Sequence, residues 1–421
     1  MEWKEVRLGD MCEIKGGKRL PKGVNLITQR NSHPYIRVRD LGKSKTIELN
    51  SSYEYVDEIT QKQIQRYITQ KGDILISIVG TIGLIAIVGD SLNGANLTEN
   101  CVKLVKLDNI DSEYLYYYLK SPFGQQNISR GTVGAVQAKL PIKNIQEFSI
   151  NCPKLVSDQR RIASILSSLD RKIELNNKIN ADLEEMAQAI FKNWFVDFEP
   201  FKNGKFVNSE LGMIPEGWKV SQIADIPHIL ETGKRPKGGA VEKGIPSVGA
   251  EHVKGMCAYD YSKTKYINCE FAAKLKTGKI NGYELMIYKD GGKPGYFIPN
   301  FSIFGEGYPF ENCYLNEHVF KLDFDGNKEF NIFCYFFFKT EQIMSYFNAQ
   351  GAKAAIPGIN KKDVENIYIF SPDNESVIKF GEFAYPLFKQ MLKNAIENRT
   401  LSTLRDTLLP RLMSGELEVP E

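Results

Sequence analysis

Two glycine-containing segments of the chain carry clusters of cations. They are GGKRLPKG at 16–23 and TGKRPKGG at 232–239. Glycine lets a backbone approach a ligand closely, and Lys and Arg bind phosphate oxygens. The combination predicts contact with phosphates through Lys18, Arg19, Lys22, Lys234, Arg235 and Lys237. The alternative interpretation is an ordinary polar turn, and it is less favoured because the pattern occurs twice.

A second group of candidates could contact DNA bases. Arg37 and Arg39 in YIRVRDL are two residues apart, so on a strand they point to one face, where guanidinium groups can bind guanine edges. Ion pairing with Asp40 or Glu48 is an equally good interpretation. The second half of the chain has SVGAEHV at this point, without arginines. Different side chains on one scaffold are what two different DNA sequences would require.

Three further segments contain the remaining DNA-binding candidates. SIVGTIG at 77–83 and YKDGGKPG at 288–295 are predicted to be corresponding turns, and RGTVGAVQAKL at 130–140 corresponds to QGAKAAIPGI at 350–359. Gln137 and Lys139 are candidates for base or phosphate contacts. The full set is Ser77, Thr81, Arg130, Thr132, Gln137, Lys139, Lys289, Lys293 and Lys353.

Catalytic motifs are absent from the sequence. Gly42-Lys43-Ser44 is the nearest approach to GxxxxGK[ST], but Arg37 stands at the leading position. GxGxxG, HExxH and GxSxG motifs are missing, as is any Pro-Pro pair of the kind an amino-methyltransferase loop needs. Asp170-Arg171-Lys172 has nuclease-like spacing, but a solvated helix face explains it better. The sequence therefore predicts a non-catalytic chain.

A long helix is predicted to position these segments. In the stretch 157–194, steps of four and three residues give an apolar seam interrupted by two asparagines, without Gly or Pro. The seam is Ile162, Leu166, Leu169, Ile173, Asn176, Asn180, Leu183, Ala187, Ile190 and Trp194. At 1.5 Å per residue the helix would be roughly 55 Å long, and it needs a partner to cover its stripe.

The partner helix is predicted at the other end of the chain. Adding 218 to each seam position gives Phe380, Ala384, Leu387, Met391, Asn394, Asn398, Leu401, Arg405, Leu408 and Leu412. If the two helices are antiparallel, Asn176 and Asn180 meet Asn394 and Asn398, and such a polar layer fixes the register. Gly381 and Pro386 predict a kink or a later start of this second helix.

The whole chain is predicted to be one unit written twice. Trp3 corresponds to Trp218, and Glu99 in NLTENCVKL corresponds to Glu317 in YLNEHVFKL. We expect an α+β fold with two similar mixed α/β domains related by a pseudo-two-fold axis and separated by two long antiparallel coiled-coil-like helices. The predicted boundaries are 1–155 and 217–372 for the domains, 156–197 and 373–421 for the helices, and 198–216 for a surface linker.

Composition and charge narrow the class of protein. Residues 1–155 hold 21 Lys and Arg against 16 Asp and Glu, and residues 201–372 hold 21 against 19, whereas each helical segment holds 6 against 8. The positive charge therefore lies on the domains, although a solvated surface explains so small a bias almost as well as DNA. Seven Cys without a CxxC motif and four scattered His predict reduced thiols, no metal site and a cytoplasmic location.

The chain resembles the specificity subunits of type I restriction–modification systems along essentially its whole length. The resemblance is carried by the start from Trp3 to Asp10, by QRRIASILSSLDRKIELNNKIN (159–180), by AIFKNWFVDFEPF (189–201), by GMIPEGW (212–218) and by LRDTLLPRLMSGEL (404–417). It implies two target recognition domains, each contacting one half of a bipartite site in double-stranded DNA.

The resemblance also implies partners and cofactors. The long helices would dock two methyltransferase (modification) subunits, and restriction (nuclease/translocase) subunits where these are present. S-adenosylmethionine, ATP and magnesium would then belong to partner subunits, so that this chain needs no cofactor. Two other classes stay open at this point: a coiled-coil adaptor whose domains bind protein, and a nuclease without familiar motifs.

Overall fold

The computed structural model describes residues 1–42, 44–291, 295–353 and 357–419. The chain divides into two compact units. Unit 1 comprises residues 1–173 and 400–421, and unit 2 comprises residues 174–399. No helix within the described ranges is long and apolar enough to cross a membrane.

Unit 1 combines short strands with helices. Its elements are β1 (Trp3–Arg7), β2 (Glu13–Gly16), β3 (Pro34–Ile36), β4 (Thr46–Ile47), β5 (Glu54–Tyr55), α1 (Glu58–Ile64), β6 (Ile74–Ser77), β7 (Ile85–Val88), β8 (Asn96–Leu97), β9 (Cys101–Val105), α2 (Ser112–Lys120), α3 (Pro122–Gly131), α4 (Ile142–Gln146) and β10 (Ser149–Pro153). A long helix, α5 (Val156–Phe195), follows and continues into unit 2. The sheets have the orders β2-β9-β6-β7-β4, β5-β3-β8 and β1-β10.

Unit 2 repeats this plan. Its elements are β11 (Phe206–Ser209), β12 (Gly212–Pro215), β13 (Val220–Gln222), β14 (Ile229–Thr232), β15 (Ile245–Val248), β16 (Lys265–Ile267), α6 (Cys269–Ala273), β17 (Leu285–Tyr288), β18 (Phe301–Ile303), β19 (Tyr314–Leu315), β20 (Val319–Asp323), α7 (Lys328–Phe338), α8 (Glu341–Gly351), α9 (Lys361–Glu365), β21 (Tyr368–Phe370) and α10 (Glu375–Ser414), whose last turns belong to unit 1.

The sheet orders show that the two units share one fold. In unit 2 they are β14-β20-β17-β18, β16-β15-β19 and β13-β21, which match β2-β9-β6-β7, β5-β3-β8 and β1-β10 of unit 1. The edge strand β4 of unit 1 has no counterpart among the described strands of unit 2. The α+β class and the two similar mixed domains predicted from the sequence are confirmed. The 40-residue helices α5 and α10 occupy the places of the two predicted long helices.

The two long helices are antiparallel within each unit. In unit 2, Asn180 pairs with Asn394 and Phe191 packs against Phe380, so positions rise along one helix as they fall along the other. In unit 1, Asp170 of α5 bonds Arg405 of α10 at 2.8 Å, and Ile162 and Leu166 share a core with Leu409 and Leu412. Each helix covers the apolar stripe of the other, and this burial of apolar surface stabilises the pair.

One sequence expectation about these segments is corrected, and the structure adds detail to the linker segment. Helix α10 begins at Glu375, upstream of Gly381 and Pro386, so the predicted later start is wrong. A Cβ at Gly381 would lie 2.7 Å from Cβ of Glu329, so glycine there allows α10 to pack closely on α7. The segment 198–216, predicted as a surface linker, contains the antiparallel hairpin β11–β12, and Phe198 and Phe201 pack edge-on against Trp218. Its aromatic residues attach it to unit 2 in spite of its Gly and Pro content.

Candidate nucleic-acid interface

The cation-rich segment 16–23, here called the basic loop of unit 1, lies directly on the turn between β8 and β9. The Gly17 N–H donates to the carbonyl of Cys101 at 3.0 Å, and the Lys18 N–H donates to that of Leu97 at 2.8 Å. A Cβ at Gly17 would lie 2.0 Å from the carbonyl oxygen of Thr98. The glycine is therefore needed for close approach to the protein's own backbone, which corrects the expectation that it serves approach to a phosphate.

An ion pair fixes the loop further. Arg19 Nε donates to Glu99 Oε1 at 2.7 Å, and Thr98 Oγ1 donates to the other carboxylate oxygen at 3.1 Å. Partial burial acts to raise the pKa of Glu99, but the hydrogen bonds from Arg19, its own N–H and Thr98 outweigh it and leave the pKa lowered. The Arg19 side chain is still 81% exposed, so it can contact a ligand while its position is constrained.

Unit 2 builds its basic loop in the same way. The Gly233 N–H donates to the carbonyl of Asn316 at 3.2 Å, and a Cβ at Gly233 would lie 1.6 Å from the carbonyl oxygen of Leu315. Arg235 Nη1 lies 3.7 Å from Glu317 Oε1, the counterpart of the Arg19–Glu99 pair. The match between Glu99 and Glu317 in the sequence thus reflects a shared contact, which the sequence alone did not reveal.

The lysines of both loops are free to bind an anion. Lys18, Lys22, Lys234 and Lys237 are all exposed, and within the described part of the chain none of them forms an ion pair. Lys18 Nζ lies 5.6 Å from the centre of the Tyr67 ring, a distance that favours a weak cation–π contact. Each loop therefore presents two lysines and one constrained arginine, which suits binding of successive phosphates.

The interpretation of Arg37 and Arg39 as two side chains on one strand face is wrong. Strand β3 ends at Ile36, and Arg39 lies in a 3-10 turn, Val38–Asp40. Both guanidinium groups bond the same carboxylate, Glu54: Arg37 through Nη2, and Arg39 at 2.9 Å. Arg39 also lies 3.7 Å from Asp40. Ion pairing, the alternative interpretation, describes these arginines better, although Glu54 replaces Glu48 as the partner.

Ser77 is also corrected, because its side chain is buried within the β6–β7 turn. Its hydroxyl donates to the carbonyl of Thr81 at 2.6 Å and accepts the Leu84 N–H at 2.9 Å. Thr81 is exposed at the tip of the same turn. Ser77 therefore shapes the turn that presents Thr81, and only Thr81 of the two is available to a ligand.

The loop after α3 lies beside this turn. Isolated β-bridges join Val79 to Lys139 and Lys139 to Val133. Arg130, Gln137 and Lys139 are exposed, whereas the hydroxyl of Thr132 donates to the carbonyl of Ile128 at 2.8 Å. The structure thus brings the 77–83 turn and the 130–139 loop together as one surface.

The remaining candidates of unit 2 differ in availability. Lys289 is half-buried, and its ammonium donates to the carbonyl of Glu317 at 3.1 Å and lies 3.3 Å from Asp290, so its prediction as a direct contact is corrected to an internal role. Lys353 is exposed and donates to Gln350 at 2.7 Å. Lys293 lies outside the described residues.

The four asparagines of the helix pair form a hydrogen-bonded layer in unit 2. Asn394 Nδ2 donates to Asn180 Oδ1 at 2.8 Å, and Asn176 Nδ2 donates to Asn398 Oδ1 at 2.9 Å. Asn398 in turn donates to Asn177 at 2.9 Å. Each of the four side chains has at least one partner in this alignment and would lose it after a shift of either helix, although Asn176 Oδ1 is buried without a partner among the described residues.

Two buried lysines were not predicted from the sequence. Lys103 in β9 lies 3.5 Å from Asp73, and Lys321 in β20 lies 2.9 Å from Glu231 and 3.8 Å from Glu284. Burial is the main reason that the pKa of Asp73 is raised, and Lys103 only partly offsets it. The indication was available: CVKLV and VFKLD each place a lysine inside an apolar strand, at corresponding positions.

Residues 1–42, 44–291, 295–353 and 357–419 contain no group of three or more His, Cys, Asp or Glu arranged to hold an ion. A cleft of about 970 Å³ in unit 2 is lined by α5, α7 and α8, with Glu184 and Lys339 bonded to each other at 2.6 Å on its wall. None of the predicted DNA-binding residues lines it.

Comparisons with known proteins agree with the geometry. A family model described as type I restriction modification DNA specificity domain matches residues 1–185. The chain is 30% identical to the MjaIX type I restriction enzyme specificity subunit of Methanocaldococcus jannaschii, over 100% of this chain and 94% of that protein. It is 24% identical to the HindI specificity subunit of Haemophilus influenzae, over 99% and 100% of the two chains.

A solved structure shows the same fold. The crystal structure of a type I restriction–modification S subunit from M. genitalium matches with a TM-score of 0.55 at 16% identity, over 98% of this chain and 96% of the other. The full-length relative from M. jannaschii, the matching family model and the shared fold lead to one conclusion. The chain belongs to the specificity subunits of type I restriction–modification systems, the proteins that recognise the DNA sequence for these systems.

Proposed function

We propose that this chain recognises a bipartite sequence in double-stranded DNA, with each unit contacting one half-site. The observation that carries the proposal is the repetition of one construction in both units: the same sheet order, a glycine fixed on a neighbouring backbone, and an arginine paired with a glutamate beside two free lysines. The surrounding exposed residues differ between the units, as two different half-sites would require.

The helices α5 and α10 act in this proposal as a spacer and as the docking surface for two methyltransferase subunits. The chain itself is then non-catalytic and cytoplasmic. S-adenosylmethionine, ATP and magnesium are bound by the methyltransferase subunits and by restriction subunits where these are present. The adaptor alternative loses support because the family is one of DNA specificity subunits.

Methylation-aware sequencing tests the bipartite readout. DNA from cells with and without the gene, each containing the methyltransferase partner, is compared. We expect one motif of two short specific halves around an unread spacer to be methylated only when this chain is present. A motif without a spacer, or the absence of any chain-dependent methylation, would contradict the proposal.

Matched insertions test the spacer role. Four helix-forming residues are inserted between 173 and 174 in α5 and between 399 and 400 in α10. Each insertion adds about 6 Å of helix, which corresponds to one to two base steps of about 3.4 Å. We expect a longer unread spacer with both half-sites unchanged, and an unchanged spacer would remove the helices from this role. Insertion into α5 alone is the control, because it leaves the asparagine layer aligned but displaces Asp170 from Arg405 in unit 1 and should lower stability.

The basic loops are tested through salt dependence. Lys18→Ala with Lys22→Ala, and separately Lys234→Ala with Lys237→Ala, should weaken binding by the complex and flatten the plot of log K against log salt by about 0.9 per lost phosphate contact. Lys71→Ala, which removes an exposed lysine paired with Asp90 at 2.7 Å, is the control. An unchanged slope would assign the loop lysines to ordinary surface.

A further inference from the structure

The tip of the 133–139 loop in unit 1 is uncharged, unlike the two basic loops at 16–23 and 232–239. All seven residues from Val133 to Lys139 are exposed, and Val136 is 97% exposed. A single exposed valine is ordinary on a protein surface. Here the valine stands next to Gln137 at the end of a loop whose base carries Arg130 and Lys139.

The loop is held firmly at its base. Val133 and Lys139 exchange two backbone hydrogen bonds of 2.8 and 2.9 Å, and the Leu140 N–H donates to the carbonyl of Ile78 at 3.0 Å. Gly134 has φ +95°, and a Cβ there would lie 2.6 Å from the carbonyl oxygen of Gln137, so the turn requires glycine. The loop is therefore a short antiparallel ribbon that presents 135–138 at its end.

The chemistry of the tip suits bases better than phosphates. Val136 and Gln137 carry no charge, whereas the cations that could bind phosphates lie at the base of the loop. A glutamine amide pairs with N6 and N7 of adenine, and an aliphatic side chain contacts the C5-methyl group of thymine. Both features face the major groove, which is wide enough to admit a two-stranded ribbon. One adenine·thymine pair, or two adjacent ones, would satisfy both side chains.

We infer that Val136 and Gln137 read an A·T pair through the major groove in the half-site bound by unit 1. This inference rests on the proposed function and adds to it a base identity and the two residues that determine it. Val136 recognises the thymine methyl group, Gln137 recognises the adenine edge, and Arg130 and Lys139 hold the backbone beside them.

Modified DNA tests the inference with the complete complex of this chain and its methyltransferase partner. Once the methylated motif is known, each thymine in it is replaced in turn by deoxyuridine, which lacks the methyl group, and each adenine by 7-deazaadenine, which lacks N7. We expect one thymine position to lose about fourfold in affinity, the value of one buried methyl group. One adenine position should lose about fivefold or more, as for a good bidentate contact.

The variants then assign these effects to residues. Val136→Ala should abolish the response to deoxyuridine at that one thymine, and Gln137→Ala the response to 7-deazaadenine, with unfolding temperatures unchanged because both side chains are exposed. Ile59→Ala, which shortens a 73% exposed aliphatic side chain elsewhere in unit 1, is the control and should keep both responses.

The outcomes separate this inference from the proposed function. A bipartite motif whose analogue responses are absent, or persist unchanged in both variants, overturns the inference and leaves the proposed function standing. Absence of a bipartite motif overturns both. Loss of each response in its own variant supports the assignment.

Discussion

The two units contain the same arrangement of strands around different interiors. Helix α2 of unit 1 carries tyrosines whose hydroxyls donate hydrogen bonds to other segments of the chain. Tyr114 donates to the carbonyl of Asn151 at 3.0 Å, and Tyr117 donates to Asp170 at 2.6 Å. Helix α7 of unit 2 presents phenylalanines instead, and Phe333 contacts Phe191, Phe195 and Phe380. Helix α7 keeps one such hydroxyl, that of Tyr335, which donates to Glu184 of α5. The two units therefore differ in how far ring packing replaces hydroxyl hydrogen bonds around this helix.

Other contacts are retained in both units. The glycine on the β8 or β19 backbone, the paired arginine and glutamate, and the lysine buried beside a carboxylate occur at corresponding places. They differ in detail: Glu317 also lies 3.3 Å from His318, which itself bonds Asp290, whereas Glu99 has Thr98 as its second partner. The retained contacts hold the loops in place, and the changed ones alter the exposed surface.

The largest expected effect comes from breaking the buried ion pairs. Lys103→Met leaves the Asp73 carboxylate without its cation, and Lys321→Met leaves the carboxylates of Glu231 and Glu284 without theirs. Each substitution should lower the free energy of unfolding by about 3–5 kcal/mol, with the greater loss in unit 2. Hydrogen exchange of the β6–β9 and β17–β20 peptides during urea unfolding measures each unit separately. Lys265→Met, at a 64% exposed side chain, is the control.

A second substitution separates the two explanations of this effect. Lys103→Met with Asp73→Leu removes both charges and should recover much of the lost stability, because no charge is left buried without a partner. If the single variants unfold at the same urea concentration as the unaltered chain, the buried pairs have no part in holding the two sheets.

The glycines of the basic loops should give the next largest effect. Gly17→Ala and Gly233→Ala place a methyl group against a carbonyl oxygen and should cost about 1–3 kcal/mol, with the greater loss for Gly233, whose Cβ would be closer. Gly16→Ala and Gly238→Ala are matched controls, because the nearest atom would be 3.8 Å away for the first and none lies within 4 Å for the second. The free energies of unfolding in urea and the DNA affinities of the four variants measure this effect. Equal behaviour of variants and controls would contradict the close packing.

The smallest effect is expected from the exposed ion pairs. A double-mutant cycle with Arg19→Ala and Glu99→Gln should show weak coupling, and the cycle with Arg235→Ala and Glu317→Gln a weaker one, because the latter atoms are 1.0 Å farther apart (3.7 against 2.7 Å). The pKa of Glu99 is lowered in the folded chain, so its contribution is complete above its unfolded pKa of about 4.3 and is lost as the pH falls through the folded value. Urea titrations at pH 7 and at pH 3 measure this loss, and coupling that is stronger at pH 3 would contradict it.

Several features of the fold could be predicted from particular residues. The seam from Ile162 to Trp194 predicted one long helix, since its spacing is set by local helix geometry. The correspondence of Trp3 with Trp218 predicted two similar domains, because similar sequences adopt similar folds. The candidate interface was harder to predict: Ser77 looked available in the sequence and is buried, while Val136 was passed over and is almost fully exposed.

The sequence by itself determined the duplicated α+β organisation, the two long helices and the family to which the chain belongs. These follow from periodicity, repetition and motifs, all of which are written along the chain. Only the tertiary structure decided which cations are free, because their partners lie far away in sequence. Glu99 is 80 residues from its partner Arg19, and Glu54 forms ion pairs with both Arg37 and Arg39. Such contacts arise from strand pairing between distant segments, and that pairing sets which charges neutralise one another and which remain exposed to solvent.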